Sequence, residues 1–246
     1  MKASLVARLL LLGLLLAFLI RPMMFAPLFA PMTLPGAAAI YTQTSLLSLT
    51  LSHLALVAAA TTAATIVSVG LAILVTRPFG AEFLPLSRSI ANVGQTFPPV
   101  AVLALSVPVF GFGPVPTLIA LFLYGLLPIF ENTLTGLTNL PDDVVEAARG
   151  AGMTERQRLI GVEFPLALPV VLAGIRLSAV ISLATATIGS TVAAKTLGEV
   201  IIAGLQANNI AFVLQGGLVV AAIALLTHDG FVSLERYLAR RTGRTA

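Results

Sequence analysis

Long uncharged apolar stretches constrain this chain more than any other feature of its sequence. Residues 45–75 contain no Asp, Glu, Lys or Arg, and they exceed the ~20 residues that a helix needs to cross a bilayer. Because hydrocarbon offers the backbone no water, such a stretch has to satisfy its N–H and C=O groups internally, as a helix does. Five other apolar runs occupy residues 5–20, 90–110, 117–138, 166–194 and 210–227. The sequence therefore predicts an all-α integral membrane protein with about six transmembrane helices.

The composition favours a single membrane domain. Hydrophobic residues make up 58% of the 246 residues and charged residues only 10%, which is unlike a soluble domain. The net charge of +4 does not indicate nucleic-acid binding, because the charges lie in short segments between the apolar runs. The chain contains no cysteine, which excludes disulfide bonds and thiolate metal sites.

Positive residues are distributed unevenly between alternate loops. If six helices cross the membrane from a cytoplasmic N-terminus, only Arg21 and Lys195 lie outside, and Arg176 lies within the membrane. By the positive-inside rule, this bias predicts that both the N- and the C-terminus are cytoplasmic. The other eleven of the fourteen basic residues then lie inside: Lys2, Arg8, Arg77, Arg88, Arg149, Arg156, Arg158, Arg236, Arg240, Arg241 and Arg244.

The first apolar run has two interpretations. Lys2 and Arg8 at its start, and the small residues at 35–39, resemble parts of a signal peptide. The small residues lie far beyond the end of the run, however, and Arg21 intervenes, so an uncleaved transmembrane helix is favoured. The predicted organisation is an N-terminal helix with an outer connection in residues 1–40, a membrane core in 41–235, and a basic cytoplasmic tail in 236–246.

Prolines and polar segments predict where the helices are interrupted. Residues 21–44 contain four prolines and are expected to form an irregular outer connection, and residues 195–209 are expected to form a polar outer segment. The adjacent Pro98 and Pro99 remove two backbone donors and predict a kink in the third run, and Pro128 predicts another in the fourth.

Residues 139–165 form a polar loop between the fourth and fifth runs, and they predict two short helices. Such a charged segment has to lie in water, and a helix this short is stable only when it packs against something else. The alternative interpretation, without a binding partner, is a solvated cytoplasmic loop. The predicted signals are, in chain order, the capping-box pair Asp143/Glu146, the helix-ending Gly150 and Gly152, the capping-box pair Thr154/Gln157, and Pro165 at the end of the second helix.

The same loop carries a family resemblance. Its pattern is Glu146-Ala147-Ala148 with Gly152, followed after nine residues by Val162-Glu163-Phe164-Pro165. This pattern resembles the EAA motif in the permease subunits of type I ABC importers, with Val162 and Phe164 as conservative departures. The resemblance implies a permease core with a cytoplasmic coupling helix that sits in a cleft of an ATPase subunit. The residues that it assigns to ATPase coupling are Glu146, Ala147, Ala148, Arg149, Gly152 and Pro165.

Further stretches resemble the osmoprotectant branch of these permeases, whose cargoes include glycine betaine, proline betaine and choline. The matching stretches are residues 90–99, 120–129 and 164–176, Thr185-Ala186-Thr187, and, as in the Yeh-like systems, Thr76-Arg77-Pro78 and Gly80-Ala81-Glu82. One departure is Ala193-Ala194-Lys195-Thr196, where many relatives have a glycine-rich sequence. The resemblance implies a multi-pass protein of the bacterial plasma (inner) membrane.

The resemblance also implies partners. They are two ATP-binding subunits, a second permease copy or a related permease, and an external or periplasmic substrate-binding protein. ATP and Mg belong to the partner ATPase, and no cofactor is expected on this chain. Residues 189–196 nearly match a phosphate-binding P-loop, but Ala194 replaces its second glycine and a membrane helix precedes it instead of a strand. We therefore expect no nucleotide site here.

Polar side chains within the apolar runs are the candidates for lining the translocation pathway. Hydroxyls and small residues in the fifth run can line a polar path, and Gln95 lies beside the Pro98 kink. Arg176 either bonds helix-end carbonyls near Pro169 or contacts cargo. His53 and His228 are expected to be hydrogen-bonded core or interface residues. The pathway candidates are Gln95, Pro98, Thr185, Thr187 and Ser190.

Other function classes fit the sequence less well. No paired carboxylates or nucleophile–base arrangement stands out, so no catalytic residue is assigned and the chain is not predicted to be an enzyme. A secondary transporter or channel without an ATPase lacks support from an intramembrane acidic relay or an inverted repeat. An importer of another small solute, such as an amino acid or another betaine-like compound, remains an alternative. A non-transporting scaffold does not explain the hydroxyls of the fifth run.

Overall fold

The computed structural model describes the backbone of residues 2–241 and the side chains of residues 5–240, so residues 242–246 of the predicted basic tail lie outside it. All regular structure among the described residues is helical. Four helices are long and apolar enough to cross a membrane, or six if each of two sharply bent pairs is one span. The prediction of an all-α membrane protein with about six spans is confirmed.

The helices follow the predicted runs in order. The long ones are α1 (Lys2–Ile20), α3 (Leu46–Val75), α6 (Pro114–Thr138), α9 (Phe164–Thr185) and α11 (Ile210–Arg241). Shorter helices are α2 (Ala26–Phe29), α4 (Leu84–Thr96), α5 (Pro99–Phe110), α7 (Asp142–Gly150), α8 (Glu155–Arg158) and α10 (Gly198–Gln206). The 3₁₀ segments are Pro22–Phe25, Ala30–Met32, Ala81–Phe83 and Ala186–Val192.

The chain folds into two compact units. The first comprises the chain up to Ala60, Pro98–Leu121 and Val180–Thr227. Large apolar side chains form its core, and their mutual van der Waals contacts help to order the segments between the helices. Among the most buried are Tyr41, Leu46, Leu49, Leu183 and Leu197, each at most 2% exposed.

A buried histidine of α3 is hydrogen-bonded to two other segments of the first unit. His53 is fully buried; it accepts a hydrogen bond at Nδ1 from the N–H of Leu197 (3.3 Å) and donates from Nε2 to the carbonyl of Leu183 (3.0 Å). Both ring nitrogens are therefore satisfied. The expectation that His53 is a hydrogen-bonded core residue is confirmed.

A carboxylate holds the segment before α3 onto α10. Glu199 Oε1 accepts hydrogen bonds from the hydroxyls of Tyr41 (2.7 Å) and Thr44 (2.6 Å). Burial, together with the bond to Glu199, raises the pKa of Tyr41 to about 12. The Tyr41 hydroxyl consequently remains a donor at physiological pH. Gln215 completes the attachment, accepting from the N–H of Tyr41 and donating to the carbonyl of Ala39.

The second unit comprises Thr61–Phe97, Phe122–Ala179 and the chain from His228 onward. Its core centres on Ala64, Ala72 and residues of α6, among them Leu126, Ile129 and Phe130. Small residues let its helices approach at backbone distance, which is how membrane helices gain packing energy.

Gly94 of α4 marks the tightest such approach in the second unit. A Cβ on Gly94 would lie 2.0 Å from the carbonyl oxygen of Leu123 in α6. Gly174 of α9 packs similarly, and its Cβ would lie 2.8 Å from the carbonyl oxygen of Pro128. Glycine is therefore needed at both positions for steric reasons.

Two predicted connecting segments are partly helical. Residues 22–32, within the supposed irregular connection, form three successive short helical segments that bend away from α1 by 110°. Each has a proline at its first or second position, where the missing N–H is not needed. The expectation of a purely irregular connection at 21–44 is wrong for these residues.

The predicted polar outer segment at 195–209 contains a helix, α10, that the sequence did not predict. Val200 of α10 is buried, and Gly198 lets the backbone pack within van der Waals distance of Thr187, where a Cβ would lie 1.8 Å from the carbonyl oxygen. Tertiary packing therefore stabilises this short helix despite its polar flanks. At Pro98, the predicted kink is a complete break, since α4 ends at Thr96 and α5 begins at Pro99.

The glycine contacts generate a prediction. Replacement of Gly94 by Ala should lower the thermal unfolding midpoint by several degrees, because overpacking against a backbone carbonyl costs about 1–3 kcal/mol. Gly70 of α3 is the matched control, since a Cβ there meets nothing within 4 Å. Thermal unfolding of the purified chain in detergent measures both. Equal midpoints for Gly94→Ala and Gly70→Ala would contradict the packing.

Candidate functional site

We call residues 139–165 the coupling segment, and its first helix is α7. Pro141 is its N-cap residue, and no side chain caps the helix. The predicted Asp143/Glu146 capping box is therefore wrong, because the N-cap residue is Pro141, two positions earlier, and Asp143 lies inside the first turn of the helix. The two aspartates still place negative charge at the positive end of the helix dipole.

A Schellman motif ends α7. The N–H of Met153 bonds the carbonyl of Ala148 (3.2 Å), and the N–H of Gly152 bonds that of Arg149 (2.9 Å). Gly152 adopts φ +75°, the left-handed conformation that glycine tolerates without strain. The role of Gly152 in ending the first helix is thus conformational.

The side chains of α7 divide into two faces. Glu146, Ala147 and Arg149 are exposed, whereas Ala148 is only 6% exposed and packs inward. Of the alanines in the motif, Ala147 is therefore available to a partner and Ala148 anchors the helix. Ala151, beyond the helix end, is also exposed.

The second capping box forms as predicted. The Thr154 hydroxyl accepts from the N–H of Gln157, and the Gln157 side chain accepts from the N–H of Thr154. The helix does not end at Pro165, however. It passes through a π-helical turn at Leu159–Glu163 and continues as α9. The wider turn immediately before Pro165 accommodates its ring and its missing donor, so Pro165 distorts the helix without ending it.

Glu163 in this turn lies between two arginines. It is 4% exposed; its Oε2 accepts from Arg77 Nη2 (2.6 Å) and its Oε1 from Arg158 Nε (2.5 Å). Arg77 itself is 9% exposed. Two charge-assisted hydrogen bonds compensate the desolvation of the carboxylate. This cluster, which we call the Glu163 triad, joins the chain just after α3 to the coupling segment.

An open cavity of about 630 Å³, lined by both charged and apolar residues, adjoins the triad. Arg77, Arg158 and Glu163 line one part of it, and Asp142 and Arg149 of α7 line another. Such a cavity admits water, so the coupling segment is hydrated on its inner side as well as on its exposed face.

Arg176 has a different partner from those predicted. Its Nε donates to Glu235 Oε1 (2.7 Å), and its Nη1 lies 3.3 Å from His228 Nδ1. The guanidinium pairs with a carboxylate of α11 instead of with helix-end carbonyls near Pro169, and contact with cargo stays a prediction. The pair neutralises two charges that are each less than a quarter exposed, so each compensates part of the other's desolvation. It also accounts for His228 as a hydrogen-bonded residue.

The pathway candidates divide between the units. In the second unit, Gln95 donates to the carbonyl of Tyr124 (3.0 Å), which Pro128, four residues later, cannot engage. In the first unit, Thr187 donates to the carbonyl of Ala184, and the Ser190 hydroxyl lies 2.7 Å from that of Thr196. Thr185 ends α9 and Pro98 precedes α5. These bonds give Gln95 and Ser190 structural roles, and pathway contact stays a prediction.

The sequence did not reveal the Glu163 triad. Arg77 and Glu163 are 86 residues apart, and nothing in their local patterns pairs them. One available signal was position, since Glu163 lies directly before an apolar run, where a carboxylate needs a partner. Ser190 and its neighbours in the P-loop-like stretch follow a helix, and no strand occurs within residues 2–241.

The triad generates a prediction. Replacement of Glu163 by Gln leaves two largely buried arginines without their counter-charge, which should destabilise the fold by about 3–5 kcal/mol. The matched control is Glu131→Gln, because the Glu131–Arg88 pair (2.6 and 3.1 Å) is exposed to solvent. Thermal unfolding in detergent should show a large loss for Glu163→Gln and a midpoint near wild type for Glu131→Gln. Equal losses would contradict the structural role of the triad.

Comparisons with known proteins agree with the fold and the motif. Residues 68–243 match the family described as binding-protein-dependent transport system inner membrane component. The osmoprotectant import permease protein OsmY of Salmonella typhimurium is 41% identical over 184 residues, covering 75% of this chain and 78% of that protein. The carnitine transport permease protein OpuCB of Listeria monocytogenes is 38% identical over 203 residues, covering 82% and 92%.

Among solved structures, an inward-facing conformation of the MetNI methionine ABC transporter matches with a TM-score of 0.68. It is 18% identical and covers 80% of this chain and 99% of that chain, so the likeness concerns the fold. The fold is that of type I ABC importer permeases, as the sequence predicted. Because the family match spans most of the chain, the protein belongs to the binding-protein-dependent transport system inner membrane components.

Proposed function

We propose that the chain is the membrane-spanning permease subunit of an ATP-driven importer of osmoprotectants such as glycine betaine. The observation that carries the proposal is α7: an exposed short helix, ended by its own Schellman motif and attached through the Glu163 triad. Relatives 34–41% identical are named as permeases for osmoprotectants, carnitine or choline, which supports the choice of cargo.

The coupling helix in this proposal is α7. A nine-residue helix gains most of its stability from packing, and its exposed Ala147 permits close approach by a partner. Glu146 and Arg149 flank Ala147 and offer charges for ion pairs at the rim of a cleft. The partner is a cytoplasmic ATP-binding subunit, which supplies ATP and Mg, and two such subunits serve a pair of permeases.

The orientation in this proposal follows the charges. The loop carrying α7, the short loop after α3 and the end of α11 hold most of the arginines, which favours placing them in the cytoplasm together with both termini. The segments around Arg21 and α10 then face the outside. An external binding protein delivers cargo there, and a second permease copy or a related permease completes the pathway.

Transport in this proposal is driven by movement of the coupling helices. Closure of the ATPase dimer on ATP brings the two copies of α7 together. Because α8 continues into α9 through the π-helical turn, displacement of α8 acts directly on the fifth span, and α7 is connected to α8 by the short turn at residues 151–154. The third span, α4 with α5, and α9 then alternate between inward- and outward-facing arrangements around the cargo.

In this proposal, the aromatic residues that select the quaternary ammonium group of the cargo belong to the binding protein and not to this chain. Quaternary ammonium groups are recognised by aromatic faces, above all those of Trp. This chain has no Trp and three Tyr, and Tyr41 is buried and bonded to Glu199. The permease therefore provides a path lined by groups such as Thr185, Thr187 and Ser190 rather than a tight site.

Substitutions in the EAA-like motif test whether α7 couples transport to ATP hydrolysis. Glu146→Gln and Gly152→Ala should each lower uptake about tenfold, equivalent to ~1.4 kcal/mol of lost docking energy, while the complex still hydrolyses ATP. For Gly152 the cause is the left-handed backbone, which alanine adopts only with strain. Proteoliposomes of the complete transporter with labelled glycine betaine measure both quantities. Glu82→Gln, in another exposed loop, is the control and should transport normally. Normal coupled uptake in both motif variants would contradict the proposal.

Cargo class is tested on the binding protein. A thermal-shift screen of the cognate binding protein should give its largest stabilisation with a betaine, because ligand binding to the native state raises the unfolding midpoint. Stabilisation only by an amino acid would make the chain a permease for that solute. Uptake that follows an ion gradient and needs no ATP-binding subunit would instead indicate a secondary transporter.

A further inference from the structure

An open groove of about 330 Å³ lies between α9 and α11 in the second unit, away from the coupling helix. Pro169, Val170 and Ala173 of α9 form one wall, and Val232 and Ala239 of α11 form the other, with Arg236 at its rim. The walls are mostly apolar, which suits the hydrocarbon and ester part of a lipid better than a polar solute.

The charges at the groove leave a positive rim. Glu235, which also lines the groove, already pairs with Arg176 at 2.7 Å. Arg236 is exposed and forms no ion pair with the residues that the structure describes. Arg240 follows one helical turn later and is also exposed, so the two guanidinium groups lie on the same side of α11.

The length of α11 places this rim near a lipid headgroup. About 20 residues of helix cross a hydrocarbon core, so from Ile210 the core ends near residue 230. Arg236 then follows about 9 Å further along, at 1.5 Å per residue. Tyr237 beside it is 52% exposed, as is usual for aromatic residues at the membrane interface.

We propose that this groove binds an anionic phospholipid, with the glycerol and the first carbons of one acyl chain against the α9–α11 walls and the phosphate at Arg236 and Arg240. Guanidinium groups bind phosphate through paired hydrogen bonds, which fits an arginine rim better than a general basic surface. Basic residues that directly follow a transmembrane helix also concentrate anionic lipids electrostatically. None of the residues that line the groove belongs to α7 or to the pathway candidates, so the proposal can be tested separately from ATPase docking and from cargo.

Native mass spectrometry of the full-length chain tests the site. The purified chain is titrated with phosphatidylglycerol or phosphatidylcholine in detergent. Wild type should retain a phosphatidylglycerol molecule preferentially, and Arg236→Gln should weaken that binding about fivefold or more. Arg156→Gln, an exposed arginine of the coupling segment, is the matched control and should bind as wild type does. Ala173→Phe, which fills the groove but keeps the charges, should also weaken binding.

Specific outcomes would overturn the proposal. Unchanged phosphatidylglycerol binding by both Arg236→Gln and Ala173→Phe would exclude this groove. Displacement of the lipid by millimolar inorganic phosphate, with Ala173→Phe unaffected, would indicate an ion site instead. If Arg236→Gln bound lipid normally but lost the ATP-binding subunit, the surface would be a protein contact. A thermal midpoint close to wild type for Arg236→Gln verifies that the variant is folded.

Discussion

The carboxylate of Glu163 holds together the parts of the second unit on which coupling depends. An ionised carboxylate that is almost fully buried is stable only with counter-charges, and Arg77 and Arg158 supply them from two different segments. The pairing fixes the chain after α3 against the turn that leads into α9. Because α7 is joined to this turn by the Schellman motif and the Thr154 capping box, its position follows from the same interaction. A helix too short to be stable alone thereby becomes a rigid projection.

The apolar surroundings impose a second constraint, since every backbone group released by a proline needs another partner. Pro128 cannot engage the carbonyl of Tyr124, and the Gln95 side chain donates to that carbonyl. Tyr124 in turn donates from its hydroxyl to the carbonyl of Phe97, at the end of α4 (3.1 Å). Within the second unit, a side chain of α4 therefore bonds the carbonyl left free in α6, and a side chain of α6 bonds the carbonyl left free at the end of α4. Polar residues that look like pathway residues in the sequence are in part the means by which irregular backbone is tolerated.

Much of the fold follows from the sequence, because uncharged runs longer than about 20 residues have few alternatives to a transmembrane helix. The bounds of α3 (Leu46–Val75) reflect this, whereas α11 begins at the predicted Ile210 but continues past the predicted end at residue 227 to Arg241. The capping box predicted at Thr154 and Gln157 forms, with both of its hydrogen bonds. The one predicted at Asp143 does not form, because Pro141 is the N-cap residue of that helix. Interactions over long separations were not predictable: the partners of Glu163, Arg176 and Glu199 lie on other elements, and opposite charges in a sequence do not specify which pairs form. Helix α10 escaped prediction for the same reason, since its stability comes from buried contacts of Gly198 and Val200.

Single-cysteine labelling at Ala147 most directly tests whether α7 docks on a cytoplasmic ATPase. The chain contains no cysteine, so Ala147→Cys creates a unique thiol on the exposed face of the helix. A membrane-impermeant maleimide should react with it in inside-out vesicles and not in intact cells. In the assembled transporter the ATP-binding subunit should protect the thiol and form a short cross-link to it. Labelling from the outside of intact cells, or full reactivity in a complex that contains the ATP-binding subunit, would contradict this mechanism.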